Sequence, residues 1–241
     1  MEVLFFLLAL ISEIIGTLVG FGSTTILLPL ALLFFDFRTA LVLAAFFHLF
    51  GNFARANFFK HSLDKRMIVQ FGVPSLLFSI VGAILVSSTP QQTLKGLLGL
   101  FLCGYAGLTL WKSKFAIKPT FINTLFGGAV SGFIAGLIGT GGGLRAAFFT
   151  AFRIPKQTYI ATSAVIAVAV DATRIPLYLQ QGFLKPQLYR YLPVLFVMAF
   201  AGSFLGKQIV DKIPQEIFRK VVLAAVLLIG AKFIFDWIAA L

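Results

Sequence analysis

The chain has 241 residues and a formal net charge of +12, yet only 12% of its residues are charged while 59% are hydrophobic, and its mean hydropathy is +0.99. Such a composition excludes a soluble domain. Most of the 20 Lys and Arg residues cluster at the ends of apolar blocks, so the excess charge is no nucleic-acid surface; two His, one Cys and few carboxylates inside the blocks leave no metal site, cofactor or catalytic residue to expect.

The first block, residues 2–35, opens on Glu2 with neither a basic leader nor a small-residue cleavage site, and reads as membrane sequence rather than a signal peptide. Gly16, Gly20 and Gly22 interrupt it, with Ser23-Thr24-Thr25 directly after and Glu13 just before. Blocks 39–59, 67–88 and 94–111 follow, each close to the roughly 20 helical residues that cross a bilayer. The first of these carries His48, Asn52 and Arg55 inside its apolar run. Block 120–153 is again overlong and broken by glycine, at Gly136, Gly139, Gly141, Gly142 and Gly143, with Thr140 among them and Arg145 just beyond. Block 157–181 contains Thr162-Ser163, Asp171 and Arg174, and blocks 187–208 and 217–240 complete the chain. The many Phe residues and the lack of alternation favour helices over a barrel.

The second set of blocks repeats the first. Gly20-Phe21-Gly22 returns as Gly139-Thr140-Gly141 and Asn52…Arg55 as Asp171…Arg174, all at an offset of 119 residues. Two repeats, 1–118 and 119–241, are therefore expected. If the overlong blocks each cross once, the block-end charges divide evenly between the two sides. If they are hairpins that enter and leave on one face, twelve basic residues share one side and only Arg38, Lys95, Lys185 and Arg190 face the other. The second division is a positive-inside pattern. Residues 2–15 and 24–35 are then the arms of a hairpin that turns near the midplane. One hairpin plus three crossings per half inverts the second repeat and places both termini outside. Trp111 and Trp237 then sit at opposite interfaces.

Non-helical backbone at membrane depth is tolerated only inside protein or beside a wet cavity, so the glycine-rich hairpin tips are the expected site. Each returning half-helix presents its positive N-terminus there, and two such ends make an anion site. The candidate binding residues are Gly20, Gly22, Ser23, Thr24, Thr140, Gly141, Gly142, Gly143, Arg145, Thr162 and Ser163, with Ser23 or Thr24 expected to cap the following helix. The same glycines also suit close helix packing, and the Thr162-Ser163 hydroxyls also suit bonds back to their own helix. Asn52, Arg55, Asp171 and Arg174 are candidate gate residues. Asp171 lies one turn from Arg174 and can neutralise it, whereas Arg55 has only Asn52 in that position and can either gate or snorkel to the interface. Glu13 and His48 are the candidates for proton coupling, with a hydrogen-bonded structural role as the alternative for His48. No nucleotide-binding motif is present, so a gradient or a separate partner is the expected energy source.

The two halves resemble the TauE/SafE family of sulfite exporters and organosulfonate-linked permeases. The similarity is carried by Gly16-Thr17-Leu18-Val19-Gly20-Phe21-Gly22 with Pro29, and by Gly136-Leu137-Ile138-Gly139-Thr140-Gly141-Gly142-Gly143 followed by Ala161-Thr162-Ser163. Ser23-Thr24 stands where the family pattern continues with glycine, and Phe148 where a proline would match Pro29. The resemblance implies an all-α polytopic protein of the bacterial inner membrane that moves small sulfur-containing anions such as sulfite or sulfoacetate. Its partners are then the anionic substrate, the lipid bilayer and a coupling proton or ion, with a homo-oligomer compatible. The competing classes are a carrier of another small organic anion, a membrane-embedded enzyme, for which the chain lacks a catalytic dyad, and an assembly subunit, which leaves the buried arginines unexplained.

Overall fold

The computed structural model describes residues 2–19, 22–58, 63–111, 117–209 and 215–240, and these form helices with no strand among them. In chain order the helices are α1 Glu2–Val19, α2 Thr24–Ala31, α3 Phe37–Phe58, α4 Lys65–Ser88, α5 Gln91–Trp111, α6 Phe121–Ile138, α7 Gly141–Ala151, α8 Lys156–Gln180, α9 Tyr191–Ile209 and α10 Gln215–Ile238. α4 contains a π-helical turn at Ile68–Gly72, and a 3-10 turn at Pro186–Leu188 leads into α9. The chain thus folds as an all-α polytopic membrane protein. Among the described residues, α3, α4, α6, most of α8 and the segment Pro186–Ile209 are long and apolar enough to cross a bilayer.

Both overlong blocks are broken helical pairs, but their arms are unequal. α1 continues to Val19 rather than ending near residue 15, a length of about 27 Å, whereas α2 has only eight residues, about 12 Å. α6 and α7 repeat this inequality. Nothing between residues 15 and 19 stops a helix, because Gly16 and Thr17 are tolerated in its interior. α2 is preceded by Gly22, whose φ of +88° lies in the left-handed region that a side chain disfavours. In the second pair the left-handed residue is Gly139, the repeat mate of Gly20 rather than of Gly22, at φ +78°, and its N–H closes α6 on Ala135 O.

The helix ends sort into two groups. At one end of the bundle Glu2 of α1 meets Arg190 and Tyr191 of α9, Phe5 packs on Phe34 and Phe35 beyond α2, the Phe37 N–H donates to Gln91 Oε1, Arg38 donates to Ser87 O, and Gln92 donates to Asp236 O. At the other end the Ile117 N–H, ahead of α6, donates to Ala151 O at the end of α7, and Lys207 lies over the Phe58 ring. The α1–α2 pair therefore opens toward the first end and the α6–α7 pair toward the second.

The packing exchanges the halves. α1 lies along α9 as α6 lies along α4; α3 contacts α9 as α8 contacts α4; α3 with α8 and α5 with α10 pair matched helices. α3 runs through the centre, with Ala40, Leu41, Val42, Leu43, Ala44 and Ala45 all buried. By contrast Val73, Leu77 and Val81 of α4, and Val197 and Phe204 of α9, are exposed, apolar surface suited to lipid rather than water.

The closest seam joins α6 to α4. A Cβ added at Gly128, Gly132 or Gly136 would lie 2.3, 2.0 and 2.1 Å from the carbonyl oxygens of Phe71, Ser75 and Ser79 respectively. These obstacles are backbone, which cannot step aside, so the small residues let the two helices touch main chain to main chain. Gly132→Val is expected to force them apart and cost about 3 kcal/mol or more, an overpacking penalty at its upper end. The midpoint of thermal unfolding in detergent measures this, with Gly104→Ala, where an added Cβ meets nothing within 4 Å, as the control.

Candidate functional site

The two tips meet. A Cβ at Gly22 of the first would lie 3.7 Å from Gly142 Cα of the second and 3.4 Å from His48 Nε2 on α3. Between them lies a cavity of about 20 Å³, walled by Thr17 and Gly22 of the first pair, His48, Asn52 and Arg55 of α3, Gly142 and Arg145 of the second pair, and Tyr159 and Ser163 of α8. That is room for about one water molecule, too little for a sulfonate in this conformation.

Arg145 lies in the first turns of α7 and is only 3% exposed. Its Nε donates to Ser163 Oγ at 2.8 Å, and no carboxylate lies within ion-pair distance of it among the described residues. Arg55 does not snorkel: it is buried, donates Nε to Gly51 O at 3.2 Å, and brings Nη2 to 2.9 Å from Glu13 Oε1. Its compensation comes from α1, across the bundle, rather than from its own helix. Glu13 also accepts Ser203 Oγ of α9 at 2.7 Å.

A second buried network stands behind the second tip. Asp171 accepts Arg174 Nε on one oxygen at 2.8 Å, with Nη2 at ion-pair distance, 2.7 Å, from the same oxygen, and its other oxygen lies 2.7 Å from His48 Nδ1. Arg174 further donates to Ala135 O, and Tyr178 donates its hydroxyl to Gly136 O. These carbonyls close to the end of α6 carry its negative dipole end, so Arg174 and Tyr178 serve as a side-chain cap that holds the tip. Neither Asp171 nor Arg174 reaches the cavity wall.

The cavity thus brings together Gly22, Gly142, Arg145, Ser163, His48, Asn52 and Arg55 from the residues expected on sequence grounds. The others lie elsewhere. Gly20 falls outside the described residues. Thr162 accepts the Asp64 N–H at 3.0 Å, tying α8 to the start of α4. Gly141 packs against Ser131 and Ala135, and Gly143 faces the Phe101 and Tyr105 rings. Ser23 stands at the start of α2 but makes no side-chain cap, contrary to expectation, because its φ/ψ of −63°/−27° are already helical rather than extended. The hydroxyls of Ser23, Thr24 and Thr140, and that of Thr17, are buried with no hydrogen-bond partner among the described residues. Thr17 and Tyr159 are wall residues that sequence reasoning missed. Thr17 lies one turn beyond Glu13 on α1, which is the signal that points to it.

Among the described charges around the tips, Glu13 answers Arg55 and Asp171 answers Arg174, which leaves Arg145 as a surplus cation facing the cavity. A buried cation without a counter-ion is costly in a membrane protein, and an anion in the cavity would offset it.

The family model described as sulfite exporter TauE/SafE matches residues 4–233. A protein of Methanocaldococcus jannaschii, described as a probable membrane transporter protein, is 26% identical over 238 residues, covering 90% of this chain and 89% of its own. No solved structure matches. With the match running from α1 into α10, through both glycine tips and Arg145, the chain belongs to the TauE/SafE sulfite exporter family.

Proposed function

We propose that the protein is a secondary transporter of small sulfur-containing anions, sulfite, sulfoacetate or related sulfonates, working by alternating access between two inverted repeats, 1–118 and 119–241. The observation that carries this reading is Arg145: a buried guanidinium with no carboxylate at ion-pair distance among the described residues, held by Ser163 beside a cavity to which both hairpin tips contribute. Compact oxyanions suit such a site, since a guanidinium and helix N-termini both donate hydrogen bonds in fixed directions. Hairpins that open to opposite ends of the bundle support two access routes to one site. Family membership supports the sulfur oxyanion as cargo and a transporter rather than an enzyme. The proposed setting is a bacterial inner membrane, with both termini outside.

The test is flux of sulfite and of sulfoacetate into liposomes holding the purified protein, with and without a pH gradient. Movement of at least one of them above protein-free liposomes is expected; movement of neither removes the transporter reading. Topology has a separate check. A single cysteine placed near Met1 and another near Leu241, with Cys103 replaced, are both expected to react with an impermeant reagent from outside whole cells. Reaction of both only after the membrane is opened reverses the orientation.

A further inference from the structure

Arg55 and Arg174 are both buried and both paired with a carboxylate, yet they are held very differently. Arg174 makes two aligned bonds to groups other than its own helix carbonyls, Nε to the Asp171 carboxylate and Nη1 to the Ala135 carbonyl, with Nη2 also 2.7 Å from Asp171. Arg55 has one aligned bond, to a carbonyl of its own helix, and its Nη2 approaches Glu13 at 2.9 Å without hydrogen-bond alignment. Its side chain also forms part of the cavity wall, which that of Arg174 does not.

Glu13 matches Arg55 in this looseness. It is fully buried, with Oε1 serving both Arg55 and Ser203 while Oε2 has no partner among the described residues. The carboxylate occupies a slot left by two glycines: a Cβ on Gly51 would lie 2.4 Å from Oε1, and one on Gly202 would lie 2.6 Å from the Glu13 Cβ. The groups facing it are Arg55 and Gly51 on α3 and Gly202 and Ser203 on α9, with Thr17 one turn along α1. Arg55 is the one charged group at ion-pair distance among the described residues.

On the anion-carrier reading above, we propose that Glu13 is the proton-binding site of the transporter and that Arg55 is exchanged between Glu13 and a doubly charged substrate. A dianion in the cavity draws Arg55 to itself beside Arg145. Glu13 then remains as a buried carboxylate without its counter-ion, a state costly enough that it takes a proton from the open side. The loaded site balances: two guanidinium charges, a dianion and a neutral glutamic acid. On release of the substrate Arg55 returns, and the proton leaves to the side then open. A monoanion is matched by Arg145 alone and leaves the Glu13–Arg55 pair intact, so it travels without a proton. His48 does not take this part, because its carboxylate partner is already fixed by Arg174.

Liposomes loaded with a pH-reporting dye test this with sulfoacetate, a dianion near neutral pH, and methanesulfonate, a monoanion. The wild type is expected to move about one proton with each sulfoacetate and none above leak with methanesulfonate. Glu13→Gln is expected to keep sulfoacetate flux but lose the accompanying proton, so that a pH gradient no longer drives accumulation. Glu2→Gln, in the exposed pair with Arg190 and away from the cavity, keeps the wild-type proton count. The proposal is overturned by an unchanged proton count in Glu13→Gln, by loss of flux in a Glu13→Gln protein that still elutes as a folded species, or by equal proton movement with both anions in the wild type. That last comparison decides the matter if Glu13→Gln does not fold. A wild type that moves neither anion instead overturns the anion-carrier reading on which this one stands.

Discussion

Arg145→Ala is expected to weaken anion transport by about 30-fold or more in apparent affinity, since removing one partner of a buried charged contact costs roughly 2–5 kcal/mol and each 1.4 kcal/mol is tenfold. The folded protein should not suffer, because Arg145 is a surplus cation whose one hydrogen bond among the described residues goes to Ser163. Activity and stability therefore separate: concentration dependence of sulfite or sulfoacetate flux falls while the thermal midpoint in detergent holds or rises. Arg145→Lys keeps the charge but gives up the planar fork and the Nε donor to Ser163, and is expected to fall between the two. Unchanged flux in Arg145→Ala would remove the assignment of this cation to the anion.

Asp171→Ala should do the reverse. It strips the carboxylate from Arg174 and His48 together and leaves a guanidinium buried at 1% exposure, with the Ala135 carbonyl and the Tyr178 ring but no counter-ion among the described residues. Breaking a buried pair in this way costs about 3–5 kcal/mol, which for a chain of this size lowers the thermal midpoint by about 6 °C or more. The double variant Asp171→Leu with Arg174→Met tests the cause. With neither charge left, much of the loss should return, though not all, because Ala135 O and His48 Nδ1 each still lose a partner. Glu2→Gln supplies the contrast: the Glu2–Arg190 pair is more than half exposed and screened, so its loss should shift the midpoint little. Equal effects of Asp171→Ala and Glu2→Gln would refute the argument from burial.

The parts of this structure that show in the sequence are those written locally. The glycine-broken blocks, the tips and the placement of Arg145 after the second tip depend on short runs of residues, and the polytopic helical fold follows from them. The Asp171–Arg174 pair is one turn of one helix and is equally visible. Glu13 and Arg55 are not, because they stand on different helices 42 residues apart. His48 and Asp171 are 123 apart, and an offset repeat aligns residues with their counterparts rather than with their contacts. The unequal hairpin arms were hidden for another reason. Glycine at residue 16 looks like a break but is only a close contact, lying against Ser23 of the returning arm, whereas the left-handed glycine is Gly22. The uncapped Ser23 belongs to the same class: residue type there favours a cap, and only its backbone conformation shows that none forms.

The seam between α4 and α6 has one further property. Gly128, Gly132 and Gly136 meet Phe71, Ser75 and Ser79, and both series advance by four residues. A contact made of identical holes at identical intervals fits almost as well after sliding by one interval, about 6 Å, as it does in place. Bulky interlocking side chains would make each position unique, but bare backbone does not. The address of α6 is therefore written in polar bonds: Ser75 of α4 donates to Gly128 O, and from α8 Arg174 donates to Ala135 O and Tyr178 to Gly136 O. Shape brings α4 and α6 together, and one donor from α4 with two from α8 decide where α6 stops.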